Sequence, residues 1–258
     1  MSMVEYETRG RAAVIRLNRV EARNAINRQV AQEMEAAIDQ MEADPEVWVG
    51  VLTAATQGDR PTFCSGQDLK LIGQPEGNST TAKGGFAGLA KRERSKPLIA
   101  AVDGLATAGG CEIVLSCDMV VATTRSSFGL AEVKRNLIAG AGGLFRLPRA
   151  IGRGPAMQAI LTGEPLSAER AHQLGLVNEL VAPGEAEGAA LALAAKICEN
   201  APLAVWASRK VVMAAEDNDD ATLWKMTDDG FRGIMGSEDL KEGLAAFAEK
   251  RAPQWKGR

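Results

Sequence analysis

Histidine is almost absent from this sequence, because His172 is the only one in 258 residues. A hydrolase of the Ser-His-Asp or Cys-His type would have to use His172, which lies in the segment ERAHQLGLVN. That segment is typical of a helix that ends at Gly175, so we expect His172 to be an ordinary helical residue. Proton transfer then falls mainly to carboxylates.

Cysteine pairs are also missing. Cys64, Cys111, Cys117 and Cys198 form no Cys-x-x-Cys motif and have no histidine partners. Neither a zinc site nor a disulfide framework is therefore indicated, and we expect reduced, mostly buried thiols. Cys64 has no evident basic partner that would make it a nucleophile, so a buried small side chain is its expected role.

A strong net charge and long apolar runs are absent as well. The formal net charge is -3, which gives no overall attraction to nucleic acid or to an anionic membrane, so local basic groups must hold any anionic ligand. No uncharged apolar run approaches the roughly 18 residues needed to span a bilayer, and MSMVEYETRG contains no signal-like segment. We expect a cytoplasmic protein without nucleic-acid or membrane partners.

The two common phosphate-binding motifs are missing from the stretch DGLATAGGCEIVLSCD, residues 103–118. It opens an apolar helix with the adjacent glycines Gly109 and Gly110, an arrangement that often holds phosphate on bare backbone N–H groups. It lacks both the Gly-Lys-Ser/Thr ending and the Gly-x-Gly-x-x-Gly fingerprint. A different negative group must therefore bind here, close to Glu112 in the first turn of the helix.

Apolar residues are plentiful, at 46% of the chain, and they follow two periods. AAVIRLNR alternates like a strand, and apolar residues then recur at helical spacing from Val30 to Met41 behind the candidate N-cap Asn27. Residues 47–55, KPLIAAVDG and DMVVATT are apolar runs of buried-strand length. Alternating strands and helices predict an α/β layer architecture with crossover connections.

The remaining segments differ in composition. Residues 73–88, GQPEGNSTTAKGGFAG, lack periodicity and predict a mobile surface loop. From about Glu185 the strand signals end and helices take over. In residues 201–258 large apolar side chains such as Trp224 and Phe231 form either a lid on the same core or a subunit interface. We favour the interface because a terminal helical pair has little room to bury them.

Two glycine-containing turns follow apolar runs, namely TFCSGQDL (residues 62–69) and DGLATAGGCE (residues 103–112). In open α/β sheets, strand ends and helix N-termini meet in one crevice, so these turns could place two backbone N–H donors around one point. Two such donors form an oxyanion hole, and each is worth roughly 3 to 4 kcal/mol of barrier. Spacing alone leaves open that both are merely tight turns.

A third segment, SSFGLAEVKRNLIAGAGGLFRLPRAIG, places Glu132 after a short strand-like stretch and before a glycine cluster. Five further segments accompany it in order: NRVEARNAIN, FCSGQDL, AAVDGLATAGGCEIVLSCDMVVA, LTGEPLSAERAHQLGLVNELV and EGLAAFAEKRAP. This ordered set resembles the enoyl-CoA hydratase/isomerase family, the crotonase superfamily, over nearly the whole chain.

The resemblance implies a crotonase-like α/β fold of repeated ββα units with a C-terminal helical oligomerisation region. Residues 1–200 would form the core that binds acyl-CoA and carries out catalysis, and residues 201–258 the helical trimerisation region. The implied assembly is a homotrimer or a dimer of trimers. The resemblance implies no metal and no redox cofactor. Coenzyme A is part of the acyl-CoA thioester substrate and is therefore not a separate cofactor.

The resemblance also implies roles for individual residues. It assigns the oxyanion donors to the backbone N–H groups of Ser65 and Gly109. It assigns the activation of water to Glu112 and the delivery of a proton to the α-carbon to Glu132. Without the resemblance, Glu112 could simply complement the helix dipole, and Glu132 could be a solvated loop acid.

Coenzyme A contacts follow from the same resemblance. Ala22 would offer its backbone to adenine, and Arg23 would offer a cation to the phosphates, although an ordinary exposed arginine is the alternative. Phe247 and Lys250 would reach the coenzyme of a neighbouring subunit. The thioester and pantetheine path would be lined by Ser65, Gly66, Gln67 and Asp68.

The predicted activity is hydration of a trans-2-enoyl-CoA to a 3-hydroxyacyl-CoA, because the spacing of Glu112 and Glu132 matches family members with two catalytic glutamates. The alternatives are an isomerase, a dehydratase of a functionalised acyl-CoA, and an inactive acyl-CoA-binding protein. Leu144 and Phe145 stand where fatty-acid hydratases often have Thr-Gln, which argues against an ordinary straight-chain substrate. Asn136 replaces a common glycine and should tolerate left-handed backbone angles.

Overall fold

Strands and helices alternate along residues 2–258, the part of the chain that the computed structural model describes. The strands are β1 (Val4–Arg9), β2 (Ala12–Leu17), β3 (Val49–Ala54), β4 (Thr62–Cys64), β5 (Thr80–Thr81), β6 (Gly85–Phe86), β7 (Leu98–Val102), β8 (Leu105–Thr107), β9 (Met119–Thr123), β10 (Ser127–Gly129), β11 (Leu166–Ser167) and β12 (Glu179–Val181). The α-helices are α1 (Arg28–Ala43), α2 (Gly109–Val114), α3 (Gly143–Ile151), α4 (Arg153–Thr162), α5 (Ala168–Gln173), α6 (Ala186–Cys198), α7 (Pro202–Ala214), α8 (Asp220–Ile234) and α9 (Glu238–Glu249). This order confirms the predicted α/β class.

A large sheet has the strand order β1-β2-β3-β7-β9-β12. β1 is antiparallel to β2, and the other neighbours are parallel. The apolar strand β7 is buried along its whole length, as a parallel strand covered on both faces requires. The strands predicted in 47–55, KPLIAAVDG and DMVVATT are confirmed as β3, β7 and β9.

A smaller sheet, in the order β11-β10-β8-β4, positions the candidate site. β4, β8 and β10 run parallel, so their carboxyl ends lie at one edge of this sheet. Each follows a strand of the large sheet, in the pairs β3–β4, β7–β8 and β9–β10. This alternation between the sheets agrees with the repeated strand pairs that the family resemblance implies.

The helix α1 begins where its cap predicts. The side-chain oxygen of Asn27 accepts a hydrogen bond from the Val30 N–H (2.9 Å), which satisfies one of the free donors of the first turn. Its apolar stripe, including Met34, Ile38 and Met41, is fully buried against the sheets. α1 thus closes the main core from one side.

A second apolar layer covers the opposite face of the large sheet. The small residues Ala186, Ala190 and Ala194 of α6 pack against Val51 and Ile99 of the central strands. Alanine lets the helix backbone approach the sheet closely, and burial on both faces fixes the parallel strands. As predicted, the segments after residue 185 are helical.

Residues 73–88, for which the sequence predicts a mobile surface loop, contain short elements of secondary structure. A 3-10 turn, Pro75–Gly77, precedes the hairpin of β5 and β6, in which Thr80 faces Phe86. Glu35 on α1 accepts hydrogen bonds from the Thr81 hydroxyl and from the Gly84 N–H (2.7 Å). Gly88 lies against α1 as well, because a Cβ atom there would clash with the carbonyl oxygen of Ala31.

The C-terminal helices leave large apolar side chains on the surface. Trp224, Phe231 and Phe247 are 69%, 64% and 87% exposed, respectively. Trp206 differs, because its indole N–H donates to the carbonyl of Trp48 (3.1 Å) within the same chain. Among the described helices, none alone is long and apolar enough to cross a membrane; α6 and α7 meet that test only together, and a bend of 108° separates them.

Candidate active site

Two backbone segments touch at the edge of the small sheet. A Cβ atom placed on Gly66 would lie 2.9 Å from the backbone nitrogen of Gly109, so no larger residue fits at Gly66 without a shift. Gly66 also has a φ of +86°, which glycine adopts freely. The turn after β4 and the N-terminus of α2 therefore meet as the sequence predicted.

The backbone N–H groups at this contact differ in their partners. The N–H of Ser65 donates to the carbonyl of Arg23 (3.2 Å) and is therefore occupied. Among residues 2–258, no acceptor is found for the N–H groups of Gln67 and Gly109. The N–H of Ser65, the predicted donor, is therefore not free in this structure, whereas the N–H groups of Gln67 and Gly109 are both free.

The pairing with Ile26 explains the direction of the Gln67 N–H. Ile26 donates to the carbonyl of Gly66 (2.8 Å) and accepts from the N–H of Asp68 (2.9 Å). In an extended segment, backbone groups of successive residues point to opposite sides. The Gln67 N–H consequently points away from Ile26 and remains free.

Glu112 lies in the first turn of α2 and is only 3% exposed. Its Oε1 accepts hydrogen bonds from the N–H groups of Ala141 (2.7 Å) and Gly143 (2.9 Å). Burial raises the pKa of Glu112, while these two hydrogen bonds and the nearby Arg146 cation oppose that rise. The carboxyl group is thus held in a fixed, desolvated position rather than on a solvated helix face.

Glu132 begins the 3-10 turn Glu132–Arg135, just after β10. Its Oε2 is buried, and no hydrogen-bond partner for this atom exists among the described residues. Burial raises the pKa of Glu132, and the negative charge of Glu112 raises it further. The two carboxyl groups therefore share one desolvated environment, and Glu132 is not the solvated loop acid of the alternative interpretation.

The departures from the family pattern fall in two different places. Asn136 closes the turn that begins at Glu132 with a φ of 55°, the left-handed conformation that asparagine was expected to tolerate there. Leu144 and Phe145 are 41% and 50% exposed and line an outer cleft whose lining includes neither Glu112 nor Glu132. Their expected effect on substrate choice stays a prediction.

Arg23 lies at the predicted nucleotide end of the site. It follows the 3-10 turn Val20–Ala22, has a φ of 52°, and lines an open, polar cleft of about 520 Å³. The buried Asn24 side chain ties this turn to the carbonyls of Ala55 (2.9 Å) and Thr62 (3.0 Å). Arg60, which the sequence analysis did not single out because it belongs to no motif, lines the same cleft.

The other predicted coenzyme contacts divide between site and surface. Gln67 is exposed beside Ser65 and Gly66, whereas the buried Asp68 forms an ion pair with Arg19 (2.8 Å). The carboxylate of Asp68 thus holds the turn in place, and its predicted place on the pantetheine path stays a prediction. Phe247 and Lys250 lie on the surface at the end of α9, and their predicted contact with a neighbouring subunit stays a prediction.

Phe86 and Arg146 belong to the site but were not predicted from the sequence. A Cβ atom on Gly109 would lie 2.5 Å from Cζ of Phe86, so this aromatic ring packs directly against the turn at Gly109. Arg146 bonds to the segment that contacts Glu112. His172, by contrast, lies exposed on α5 with its Nδ1 near the carbonyl of Val177 (2.9 Å), as expected for an ordinary helical residue.

The sequence is similar to those of known proteins over nearly the whole chain. The profile of the family described as enoyl-CoA hydratase/isomerase matches residues 7–258. The (E)-benzylidenesuccinyl-CoA hydratase of Thauera aromatica is 36% identical over 263 residues, which cover 98% of this chain and 99% of the relative.

Two solved structures extend the comparison. The enoyl-CoA hydratase of Mycobacterium tuberculosis H37Rv is 43% identical, with a TM-score of 0.94 and complete coverage, 100% of each chain. A carnitinyl-CoA dehydratase from Mycobacterium avium 104 is 45% identical, with a TM-score of 0.77 and 100% of each chain covered. The similarity therefore extends over the whole chain in both sequence and structure.

Proposed function

This chain belongs to the enoyl-CoA hydratase/isomerase family, and from that membership we propose that it adds water to a trans-2-enoyl-CoA to give a 3-hydroxyacyl-CoA. It is an enoyl-CoA hydratase-like enzyme with the mixed α/β crotonase fold, two β-sheets and the C-terminal helices α6–α9. The observation that carries the proposal is the pair of desolvated carboxyl groups, Glu112 and Glu132, in a site that also offers two unpaired backbone N–H groups.

The free N–H groups of Gln67 and Gly109 would hold the thioester oxygen. When water adds to the conjugated double bond, negative charge develops on this oxygen, as in an enolate. Donors already fixed by the turn after β4 and by α2 need no reorganisation to stabilise that charge. Support comes from the contact of Gly66 with Gly109, which brings the two segments together, and from the occupied N–H of Ser65.

The two glutamates would divide the proton transfers. Glu112 accepts two backbone hydrogen bonds and lies near the Arg146 cation, and both features favour its ionised form, which can take a proton from water. Glu132 has an unpartnered buried oxygen and the charge of Glu112 nearby, which both favour its protonated form. It would deliver its proton to the α-carbon, and the roles would exchange in dehydration.

Coenzyme A would extend from this point toward the cleft beside Arg23. Arg23 and Arg60 supply the local positive charge that an anionic ligand needs on a chain of net charge -3. The Ala22 backbone would meet the adenine. The arginines would bind phosphate oxygens, and Ser65, Gly66 and Gln67 would line the pantetheine path.

The acyl group would lie beside Phe86. Its ring packs against Gly109, the residue that would bind the thioester oxygen. A dehydratase or hydratase of a functionalised acyl-CoA is the second candidate. Relatives that act on benzylidenesuccinyl-CoA and carnitinyl-CoA, at 36% and 45% identity, favour it.

The oligomeric state is a further part of the proposal. Residues 201–258 would form the trimerisation region, because Trp224, Phe231 and Phe247 expose large apolar surfaces that a lone chain leaves in water. A homotrimer or a dimer of trimers would bury them and would bring Phe247 and Lys250 to the coenzyme of the adjacent subunit.

The proposal is tested with the purified protein and a panel of enoyl-CoA esters, starting from crotonyl-CoA and increasing in size and polarity. The expected result is loss of the conjugated-thioester absorbance and formation of the 3-hydroxyacyl-CoA. Movement of the double bond without uptake of water would identify an isomerase. Binding of the esters without any turnover across the panel would contradict an enzymatic role.

A further inference from the structure

Arg146, on α3, is a partly buried cation whose hydrogen-bond acceptors are all uncharged. None of the ion pairs among residues 2–258 includes it, although the neighbouring arginines Arg94 and Arg149 both have carboxylate partners. Its guanidinium donates to Ser116 Oγ (3.1 Å), the Ala141 carbonyl (3.1 Å) and the Ala90 carbonyl (2.7 Å). Burial of a cation that has only neutral hydrogen-bond partners costs free energy, so we expect Arg146 to have a role beyond packing.

Ala141 connects this arginine to the candidate active site. Its carbonyl accepts from Arg146, and its own N–H donates to Oε1 of Glu112 (2.7 Å). The guanidinium thus holds the residue whose amide contacts the carboxylate. The neighbouring Gly142 is part of the same arrangement, because a Cβ atom there would lie 2.4 Å from Nη1 of Arg146.

Ser116 provides a second connection, from the helix side. Its hydroxyl accepts from Arg146 and donates to the main-chain carbonyl of Glu112 (2.7 Å). One planar guanidinium therefore joins the helix that carries Glu112 to the loop that contacts the Glu112 side chain. The third acceptor, Ala90, lies just beyond the hairpin that contains Phe86.

We propose that Arg146 is a positioning residue for the hydration reaction, one that holds Ala141 and Ser116 so that Glu112 keeps its orientation and its ionised form. The inference rests on the proposed function and deepens it. The fork geometry of a guanidinium suits this task, because it serves three oxygens at fixed angles, which a lysine ammonium on a flexible stem cannot reproduce.

The titratable groups that face Glu112 make the inference testable. They are Glu132 from the turn after β10, Arg146 from α3, and the Cys111 thiol beside it on α2, whose own pKa is raised by burial so that it stays neutral. Arg146 is the cation that lowers the pKa of Glu112, and removal of its charge should therefore raise that pKa. The acid limb of kcat/KM should then move to higher pH.

The decisive comparison uses Arg146→Gln, Arg146→Lys and the matched control Arg149→Gln. Arg149 lies one turn further along α3, and its guanidinium is as far from the Phe145 ring as that of Arg146 (5.3 Å), but it pairs with Glu216 and Asp217 on the surface. Arg146→Gln should raise the acid limb by on the order of one pH unit and lower kcat by about tenfold or more, with KM little changed. Arg146→Lys should restore the pH profile but not kcat, and Arg149→Gln should change neither.

A direct titration of Glu112 separates this inference from the proposed function. Carbon-13 NMR of the labelled carboxyl group, or its infrared band, should show a higher pKa in Arg146→Gln than in the wild type, whether or not a turned-over substrate is found. An unshifted pKa would overturn the role of Arg146 even if hydration is confirmed. If the wild type hydrates no ester, the proposed function fails while the titration still decides the role of Arg146.

Ser116→Ala covers the case in which the Arg146 variants do not fold. It removes one acceptor of the guanidinium and keeps the charge, so kcat should fall by about fivefold with an unchanged acid limb. Unchanged kcat in Ser116→Ala would contradict the positioning role.

Discussion

Glu112 and Glu132 interact electrostatically but differ in their hydrogen-bond partners. Two backbone N–H groups donate to Oε1 of Glu112, whereas Oε2 of Glu132 is buried with no partner among the described residues. The charge of Glu112 raises the pKa of Glu132. This asymmetry suits a reaction with one base and one acid, because it determines which of the two carboxyl groups keeps the proton.

Replacement of Glu132 by Gln should abolish proton delivery while it preserves the shape of the site. We expect kcat for the best enoyl-CoA to fall on the order of 10²- to 10⁴-fold. The affinity for a coenzyme A product, measured by calorimetry, should change little. The exposed Glu169→Gln on α5 is the control. Near-normal hydration by Glu132→Gln would show that another group delivers the proton.

The oxyanion pair can be tested at single atoms. An amide-to-ester replacement that removes only the N–H of Gln67 should lower kcat by on the order of 10²- to 10³-fold, because no other donor takes its place. The same replacement at Ser65 removes the hydrogen bond to Arg23, so it should lower the Tm more than the turnover. The opposite pattern would restore Ser65 as the donor.

Protein stability should depend on pH through Glu132. Its pKa is raised above the usual 4.5 in the folded state, mainly by burial, so the folded protein binds this proton more tightly than the unfolded chain does. Its contribution to stability therefore falls as the pH rises from the unfolded pKa through the folded one. Glu132→Gln removes this loss, so its Tm should exceed that of the wild type near pH 8 and approach it near pH 4. Thermal denaturation across this range would contradict the expectation if the difference were constant.

The acyl pocket should respond to Phe86 and not to Phe145. Phe86→Ala removes a ring in contact with Gly109 and should raise kcat/KM for bulky enoyl-CoA esters relative to crotonyl-CoA. Phe145→Ala is the matched control, because that ring lies half exposed on the outer side of α3. Equal changes in both variants would place the acyl group elsewhere.

The exposed aromatic side chains of α8 should determine assembly. Phe231→Lys places a charge in the predicted interface and should shift the protein from a trimer or hexamer to smaller species, as measured by light scattering after size exclusion. Arg170→Glu, an exposed change of charge on α5, is the control. A monomeric wild type would contradict the proposed trimerisation region.

The family resemblance assigned roles to Gly109, Glu112 and Glu132, and each of them lies at a strand end or at the start of a helix. It placed the second proposed oxyanion donor two residues away from the free N–H. The direction of that N–H depends on pairing with Ile26, a contact distant in sequence that spacing does not encode. Only the folded chain shows which of the neighbouring amides is occupied.

Two other features, the places of Phe86 and Arg146, could not be predicted from the sequence, for different reasons. Phe86 lies in a hairpin whose strands are too short to show a period, and α1 rather than local propensity holds that hairpin in place. Arg146 belongs to a helix with an ordinary surface pattern, and its role emerges only from the three segments that converge on its guanidinium. Tertiary contacts, not local sequence, create both roles.

The ladder of backbone hydrogen bonds around Ile26 has a consequence for how substrate size controls rate. Arg23 lines the cleft proposed for the nucleotide, and its carbonyl accepts a hydrogen bond from Ser65. Ile26 is hydrogen-bonded to Gly66 and Asp68, on either side of the Gln67 amide. Binding of the nucleotide end of the ligand is therefore coupled, through these hydrogen bonds, to the alignment of the carbonyl group that reacts. A truncated thioester that keeps only the acyl group and a short thiol should therefore show a lower kcat as well as a lower affinity.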